Sequence, residues 1–154
     1  MNILVKNPNM AQVEKTVLVG YSAEQMFQLV DDVERYPEFL PWCERAVLNL
    51  RGEHNFVATL HINYHHVRQQ FTTENTNQFP SRMDIKLVDG PFHKLEGFWH
   101  FIPLAENACK IEFTLHYEFA SHLLEKLISP VFSHIANTFV DAFVERAEKV
   151  LISK

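Results

Sequence analysis

The sequence predicts an α+β domain in which seven antiparallel strands form a curved sheet around one long C-terminal helix. Three observations carry this expectation. Several runs between residues 54 and 119 alternate apolar and polar side chains with period two. The gaps between those runs have turn length, which favours antiparallel neighbours. After Ser121 the pattern changes to a helical repeat that continues to about residue 152. The chain has 154 residues, which at roughly 100 to 200 residues per domain leaves room for one. That domain is placed at residues 10–154, behind a tail of residues 1–9 that contains Pro8 and shows no periodicity.

The first strand is expected at residues 12–19, where Val13, Thr16, Val17 and Val19 supply β-branched side chains and Gly20 ends the run. A helix follows, because Ser22 and Gln25 stand at capping-box spacing and Met26, Phe27, Leu29 and Val30 form an apolar stripe. Asp31 and Asp32 oppose the dipole at that helix's end and suit the start of a second, short helix, so a break is placed there. The segment Tyr36-Pro37-Glu38-Phe39-Leu40-Pro41-Trp42-Cys43 holds two prolines and three large aromatics in eight residues. It cannot be regular for long.

Further strands are expected at residues 43–51, 54–64, 66–76, 81–88, 93–103 and 108–119. The last is the clearest, with Cys109, Ile111, Phe113, Leu115, Tyr117 and Phe119 on one face and Lys110, Glu112, Thr114, His116 and Glu118 on the other. Charge tests one register. If Trp99 faces Phe113 on the inner side, Glu96 falls opposite His116, Lys94 opposite Glu118 and His100 opposite Glu112. A slip of one residue loses both the apolar and the charge match. In the final helix Pro130 leaves two readings open, a restart after Ser129 or a kink. The apolar positions Val131, Phe132, Ile135, Ala136, Phe139, Val140, Phe143, Val144 and Ala147 form a stripe that would cover the sheet.

Composition excludes several functions. With four glycines, none spaced as GxGxxG or GxxxxGK[ST], the two commonest phosphate loops cannot be written. A formal charge of -5 with no basic run argues against a nucleic-acid stripe, and no DNA partner is expected. Cys43 and Cys109 form no CxxC motif and suit a reducing compartment, and the N-terminus lacks the apolar region of a signal peptide, so the protein is read as cytoplasmic. Among nine histidines, His61, His65 and His66 are densest. On a strand, however, positions 61 and 65 stand about 13 Å apart, too far to share an ion, and no metal site is expected. None of the six serines lies in GxSxG, and no pair of carboxylates can be placed for acid and base work, so no catalytic residue is assigned.

The chain does carry thirteen phenylalanines. Phe71, Trp99, Phe101, Phe113, Phe132, Phe139 and Phe143 fall on the inner sheet face or on the helix above it, and a curved sheet gripping a helix can leave an apolar pocket between them. Gln69, Thr73, Asn75 and Tyr117 share that strand parity and are the candidate polar lining. Tyr36, Phe39, Leu40 and Trp42 are expected to form an aromatic rim at one end, and the cavity is expected to reach a few hundred Å³.

The runs VEKTVLVGYSAEQMFQLVDDVERYPEFLPWCERAVL, LVDGPFHKLEGFWHF and CKIEFTLHYEF resemble the coenzyme-Q-binding, START-like family of the polyketide cyclase superfamily over about residues 10 to 152. Gly20 stands where that family often has proline, and His93 where lysine is expected. The resemblance implies a helix-grip (START/Bet v1-like) fold and a non-enzymatic carrier of ubiquinone or a related polyprenyl lipid, with no covalently bound cofactor and with transient membrane contact for lipid pick-up. The bacterial branch includes ribosome association toxins that bind the large ribosomal subunit and block subunit association, which implies that subunit as an alternative partner. Arg35, Arg45, Lys94, Arg146 and Lys149 are the candidate surface cations for such a contact. Aromatase and cyclase enzymes of the wider superfamily form a third reading.

Overall fold

The computed structural model describes residues 10–151. The expected tail of residues 1–9 lies outside the described residues. The order of elements is β1 (Ala11–Val19), α1 (Ala23–Asp31), a short 3₁₀-helix (Val33–Glu38), β2 (Cys43–Arg51), β3 (Asn55–Tyr64), β4 (Val67–Gln78), β5 (Arg82–Asp89), β6 (Phe92–Ala105), β7 (Ala108–Phe119) and α2 (His122–Val150). The seven strands form one antiparallel sheet in the order β1-β7-β6-β5-β4-β3-β2. Strands adjacent in sequence from β2 to β7 are adjacent in space, while β1 and β2 are the two edges. The connection through α1 and the 3₁₀-helix must therefore pass from one edge of the sheet to the other.

Local chemistry sets the helix boundaries as the sequence implied. Ser22 Oγ accepts from the Gln25 amide at 3.1 Å and Gln25 Oε1 accepts from the Ser22 amide at 3.0 Å, completing the capping box of α1. Ser121 Oγ accepts from the Leu124 amide at 3.1 Å and starts α2. Pro130 neither ends nor restarts the final helix, which continues through it for 29 residues. Proline removes one backbone donor, and both Pro130 and Lys126, whose carbonyl loses that partner, are exposed to water.

The register of β6 on β7 matches the charge argument: Trp99 pairs with Phe113, Glu96 with His116, Lys94 with Glu118 and His100 with Glu112. His100 Nδ1 lies 3.4 Å from Glu112 Oε1 on the outer face. Gly97 lies where these strands approach most closely; a β-carbon there would meet the Thr114 carbonyl oxygen at 2.1 Å. The core lies between the sheet's concave face and the buried side of α2, formed by Ile128, Val131, Phe132, Ile135, Ala136, Val140, Phe143 and Ala147. By length and composition α2 is apolar enough to cross a bilayer. Here its apolar side packs against the sheet.

Candidate functional site

Strand parity brings the inward side chains of β3, β4, β6 and β7 beneath α2, where they enclose an apolar cavity of about 70 Å³. Phe56, Ala58 and Leu60 of β3, Leu95 and Trp99 of β6, and Phe113 and Leu115 of β7 form much of the sheet wall. Phe132, Ile135, Ala136 and Phe139 of α2 form the roof. One end is closed by Val33, Tyr36 and Trp42 from the connection between α1 and β2.

The cavity is much smaller than the few hundred Å³ expected. Aromatic rings fill the difference. Phe139 lies within 5.1–5.6 Å, centroid to centroid, of Trp99, Phe113 and Phe143, and 6.2–6.4 Å from Trp42 and Tyr36. Such edge-on and tilted contacts are favourable in themselves and leave few voids. Phe139 is also the one aromatic residue in the cavity wall that is half-buried rather than buried. Its ring is the least confined part of that wall.

Of the residues expected around the pocket, Tyr36, Trp42, Phe71, Trp99, Phe113, Phe132 and Phe139 line it. Six do not. Phe101 and Phe143 are fully buried in the core, Phe101 in stacked contact with Trp99 at 5.8 Å and edge-on to Phe27, and Phe143 edge-on to Tyr36 and Phe39. Tyr117 belongs to a separate cluster with Phe92, Phe119 and Phe132. Burial holds its phenol above the ordinary range, partly offset by a hydrogen bond with Ser133. Gln69 is half-buried on β4 in a surface cleft beside Glu44, His61 and Arg68.

The expected aromatic rim is instead a plug. Leu40 and Trp42 are almost fully buried. Phe39 lies under the Arg146 guanidinium, 5.1 Å from its ring centroid, while Arg146 Nη2 bonds Glu38 Oε1 at 2.8 Å and ties the 3₁₀-helix to α2. The Tyr36 hydroxyl donates to the Val30 carbonyl. Burial foremost, and then the nearby Asp31 carboxylate, raise its pKa far above the phenol range. Two prolines and four large apolar side chains thus close the core end, which is the commoner fate of such a segment.

Two cavity residues are polar, and parity had singled out both. Thr73 and Asn75 of β4 are the buried polar side chains among the described residues, at 8 % and 6 % exposure. Thr73 Oγ1 donates to Asn75 Oδ1 at 2.8 Å, and Asn75 Nδ2 donates to Met83 Sδ at 3.4 Å. Neither cysteine stands beside them in the cavity wall. Burial pushes the Cys43 thiol up to about 12, and burial followed by Glu24 pushes Cys109 up to about 11, so neither is a thiolate near neutrality. Among the described residues no three His, Cys, Asp or Glu side chains are placed to hold a metal ion.

Comparisons with known proteins agree with this architecture. The family model for polyketide cyclase / dehydrase and lipid transport matches residues 19–144. The ribosome association toxin RatA of Vibrio cholerae is 42% identical over 141 residues, 92% of this chain and 98% of that protein. The mitochondrial coenzyme Q-binding protein COQ10 of Drosophila melanogaster is 31% identical over 144 residues, 91% of this chain and 56% of that protein. Among solved structures, the Zhui aromatase/cyclase of a Streptomyces species superposes with a TM-score of 0.77 at 18% identity, covering 94% of this chain and 97% of that one, which shows the helix-grip fold alone. As its motifs predicted, the chain belongs to the START-like family of polyketide cyclase / dehydrase and lipid transport proteins.

Proposed function

We propose that the protein binds a hydrophobic ligand without chemically altering it, in the cavity between the concave sheet face and α2. The observation that carries this reading is the cavity itself: an apolar space under the helix, with two polar side chains in its wall. Neither cysteine lines the cavity, so neither thiol is placed to attack a bound ligand. A ubiquinone or another polyprenyl lipid is the ligand class, supported by the likeness to the coenzyme Q-binding protein. Exposed Leu123 and Leu127 on the first turns of α2 would suit brief contact with a membrane during pick-up. Protein purified from its native host and extracted with organic solvent should release such a lipid in near-stoichiometric amount, read by mass spectrometry. An extract empty of lipid, together with no heat of binding for a short-chain ubiquinone analogue, would overturn the reading.

A second reading is association with the ribosome from the cytoplasm, acting through the outer surface. It is favoured by the 42% identity to a ribosome association toxin over almost that protein's whole length, a stronger likeness than the one to the coenzyme Q-binding protein. The surface indicates how such contact would be made. Arg35 is paired with Asp32 and Glu38, Arg146 with Glu38, and Lys94 with Glu96, at 2.8–3.2 Å. Three of the five candidate cations are thus engaged with carboxylates, while Arg45 and Lys149 are exposed, and two scattered cations make a weak site for rRNA phosphates, so a ribosomal protein is the better contact. Sedimentation with purified large subunits should then show binding that changes little between low and moderate salt. Steep loss with salt would place the contact on rRNA, and no binding at either salt would remove this reading.

A further inference from the structure

The inner face of β4 departs from the pattern of a core strand. Its inward positions are Val67, Gln69, Phe71, Thr73, Asn75 and Asn77, of which two are apolar, neither of them beyond Phe71. Thr73 and Asn75 line the cavity and are paired across the sheet with Ala58 and Leu87 and with Phe56 and Ile85. An apolar pair would pack there without desolvating an amide, so the polar choice costs stability, a cost that a role in ligand binding accounts for.

The hydrogen bonds leave a definite remainder. The Asn75 amide has two N–H groups; one goes to a thioether sulfur at 3.4 Å, a weak acceptor, and among the described residues its side chain makes no further donor contact. The Thr73 hydroxyl gives its proton to Asn75 Oδ1 and keeps its oxygen lone pairs. Both side chains are more than nine-tenths buried and both line the cavity. The pair therefore presents one donor and one acceptor, side by side, to whatever enters. A single hydroxyl group satisfies both, accepting from Asn75 and donating to Thr73. A carbonyl oxygen satisfies one only.

We propose that Thr73 and Asn75 form the recognition anchor for the headgroup of the ligand, and that the anchor selects an apolar ring bearing a hydroxyl, a phenol or quinol, over the same ring with a carbonyl or no oxygen. This rests on the hydrophobic-ligand reading and assigns its polar end to β4, deep under α2. A cavity of about 70 Å³ is too small for such a ring, since cavities that take up benzene are about 150 Å³. Entry therefore requires the half-buried Phe139 ring to turn aside.

The test uses isothermal titration of the full chain with 4-hexylphenol, 4-hexylanisole and hexylbenzene, which differ at one substituent. The wild type should bind the phenol about tenfold more tightly than hexylbenzene, the combined effect of two buried hydrogen bonds, with the anisole, whose oxygen can accept from Asn75 but donates nothing to Thr73, in between. In the double variant Thr73→Val, Asn75→Leu the preference should fall below about twofold while hexylbenzene still binds. Equal binding of all three compounds by the wild type overturns the anchor and leaves the hydrophobic-ligand reading intact; the pair then holds a water or serves packing alone. Binding of none of them by wild type or by a Phe139→Ala variant overturns the carrier reading itself, and the anchor with it. A phenol preference that survives in the double variant, with far-UV circular dichroism showing an intact fold, also overturns the assignment to these two residues.

Discussion

Strands β7 and β4 both run beneath α2, and their inner faces are built on opposite principles. β7 presents Cys109, Ile111, Phe113, Leu115 and Tyr117, each at 7 % exposure or less. β4 presents Phe71, Thr73 and Asn75 at similar depth, flanked by the half-buried Gln69 and Asn77. The polarity continues to the far end of β4, where Asn77 Nδ2 donates to Asp31 Oδ1 at 2.8 Å while its own Oδ1 is buried with no partner among the described residues. Burial on β7 yields hydrophobic stabilisation alone, whereas equal burial on β4 is partly opposed by the desolvation of amides and a hydroxyl. The difference teaches that the concave face has a structural half and a recognition half, and that burial does not distinguish them. What distinguishes them is hydrogen bonding left incomplete.

The largest effect should come from breaking the structural half. Phe113 is 1 % exposed and packs on Trp99 at 4.7 Å and on Phe139 at 5.6 Å. Replacing it with alanine removes a buried ring whose space the rigid sheet cannot close, at a cost of about 3–5 kcal/mol. Urea unfolding followed by tryptophan fluorescence measures this, and a loss under about 1 kcal/mol would show that β7 does not carry the core.

The two halves were not equally legible before the structure. β7 could be read in full because two independent constraints agreed, apolar parity on one face and charge complementarity with β6 on the other, and the observed pairs of Trp99 with Phe113 and His100 with Glu112 follow from both. Parity also placed Thr73 and Asn75 on the inner face. It could not give the cavity's size, because parity fixes the direction in which a side chain leaves the backbone, and the ring torsions of Phe139 and its neighbours decide how much space remains. For the same reason Phe101 and Phe143 were expected at the cavity and instead sit behind the rings that line it. The continuation of α2 through Pro130 stays open in the sequence because a Ser-Pro pair is compatible with both a helix start and an interior kink, although Lys126 is a residue type that keeps its carbonyl near water.

A sharper comparison comes from Phe139, the ring that spans both halves. Changing it to alanine should cost less than the Phe113 change, about 2 kcal/mol, because the side chain is only half-buried. It should also enlarge the cavity by nearly a ring and raise affinity for hexylbenzene severalfold, since the space need no longer be opened by a moving side chain. Calorimetric titration reads the second effect. Unchanged or weaker binding would mean that Phe139 contacts the ligand rather than blocking it.

The halves also differ in response to pH. The β7 inner face contains Cys109, whose pKa is pushed up to about 11 by burial and then by Glu24, while Thr73 and Asn75 cannot titrate. Because the folded value lies above the unfolded one, the thiol's contribution is fully present below the ordinary thiol value near 8.5 and is lost as pH rises to about 11, by at most about 3 kcal/mol. Chemical denaturation from pH 8 to pH 11 should therefore show a steeper decline for the wild type than for Cys109→Ala. Parallel declines would mean that the thiol is not held in a dry environment.

The smallest expected effect is the most informative about β4. If Thr73 and Asn75 are retained for a ligand, replacing both with the near-isosteric valine and leucine removes a partly satisfied polar pair and leaves no orphan, because Thr73 is the partner of Asn75 Oδ1 and Met83 Sδ tolerates an apolar neighbour. Unfolding free energy should then change by less than about 1 kcal/mol, in the stabilising direction. The single variant Asn75→Leu should be worse than the double one, since it strands the Thr73 hydroxyl in an apolar wall; Thr73→Val should do the same to Asn75 Oδ1. A double variant destabilised by several kcal/mol would contradict this, making the pair a structural element of the sheet in the same sense as Phe113 and dissolving the distinction between the two halves.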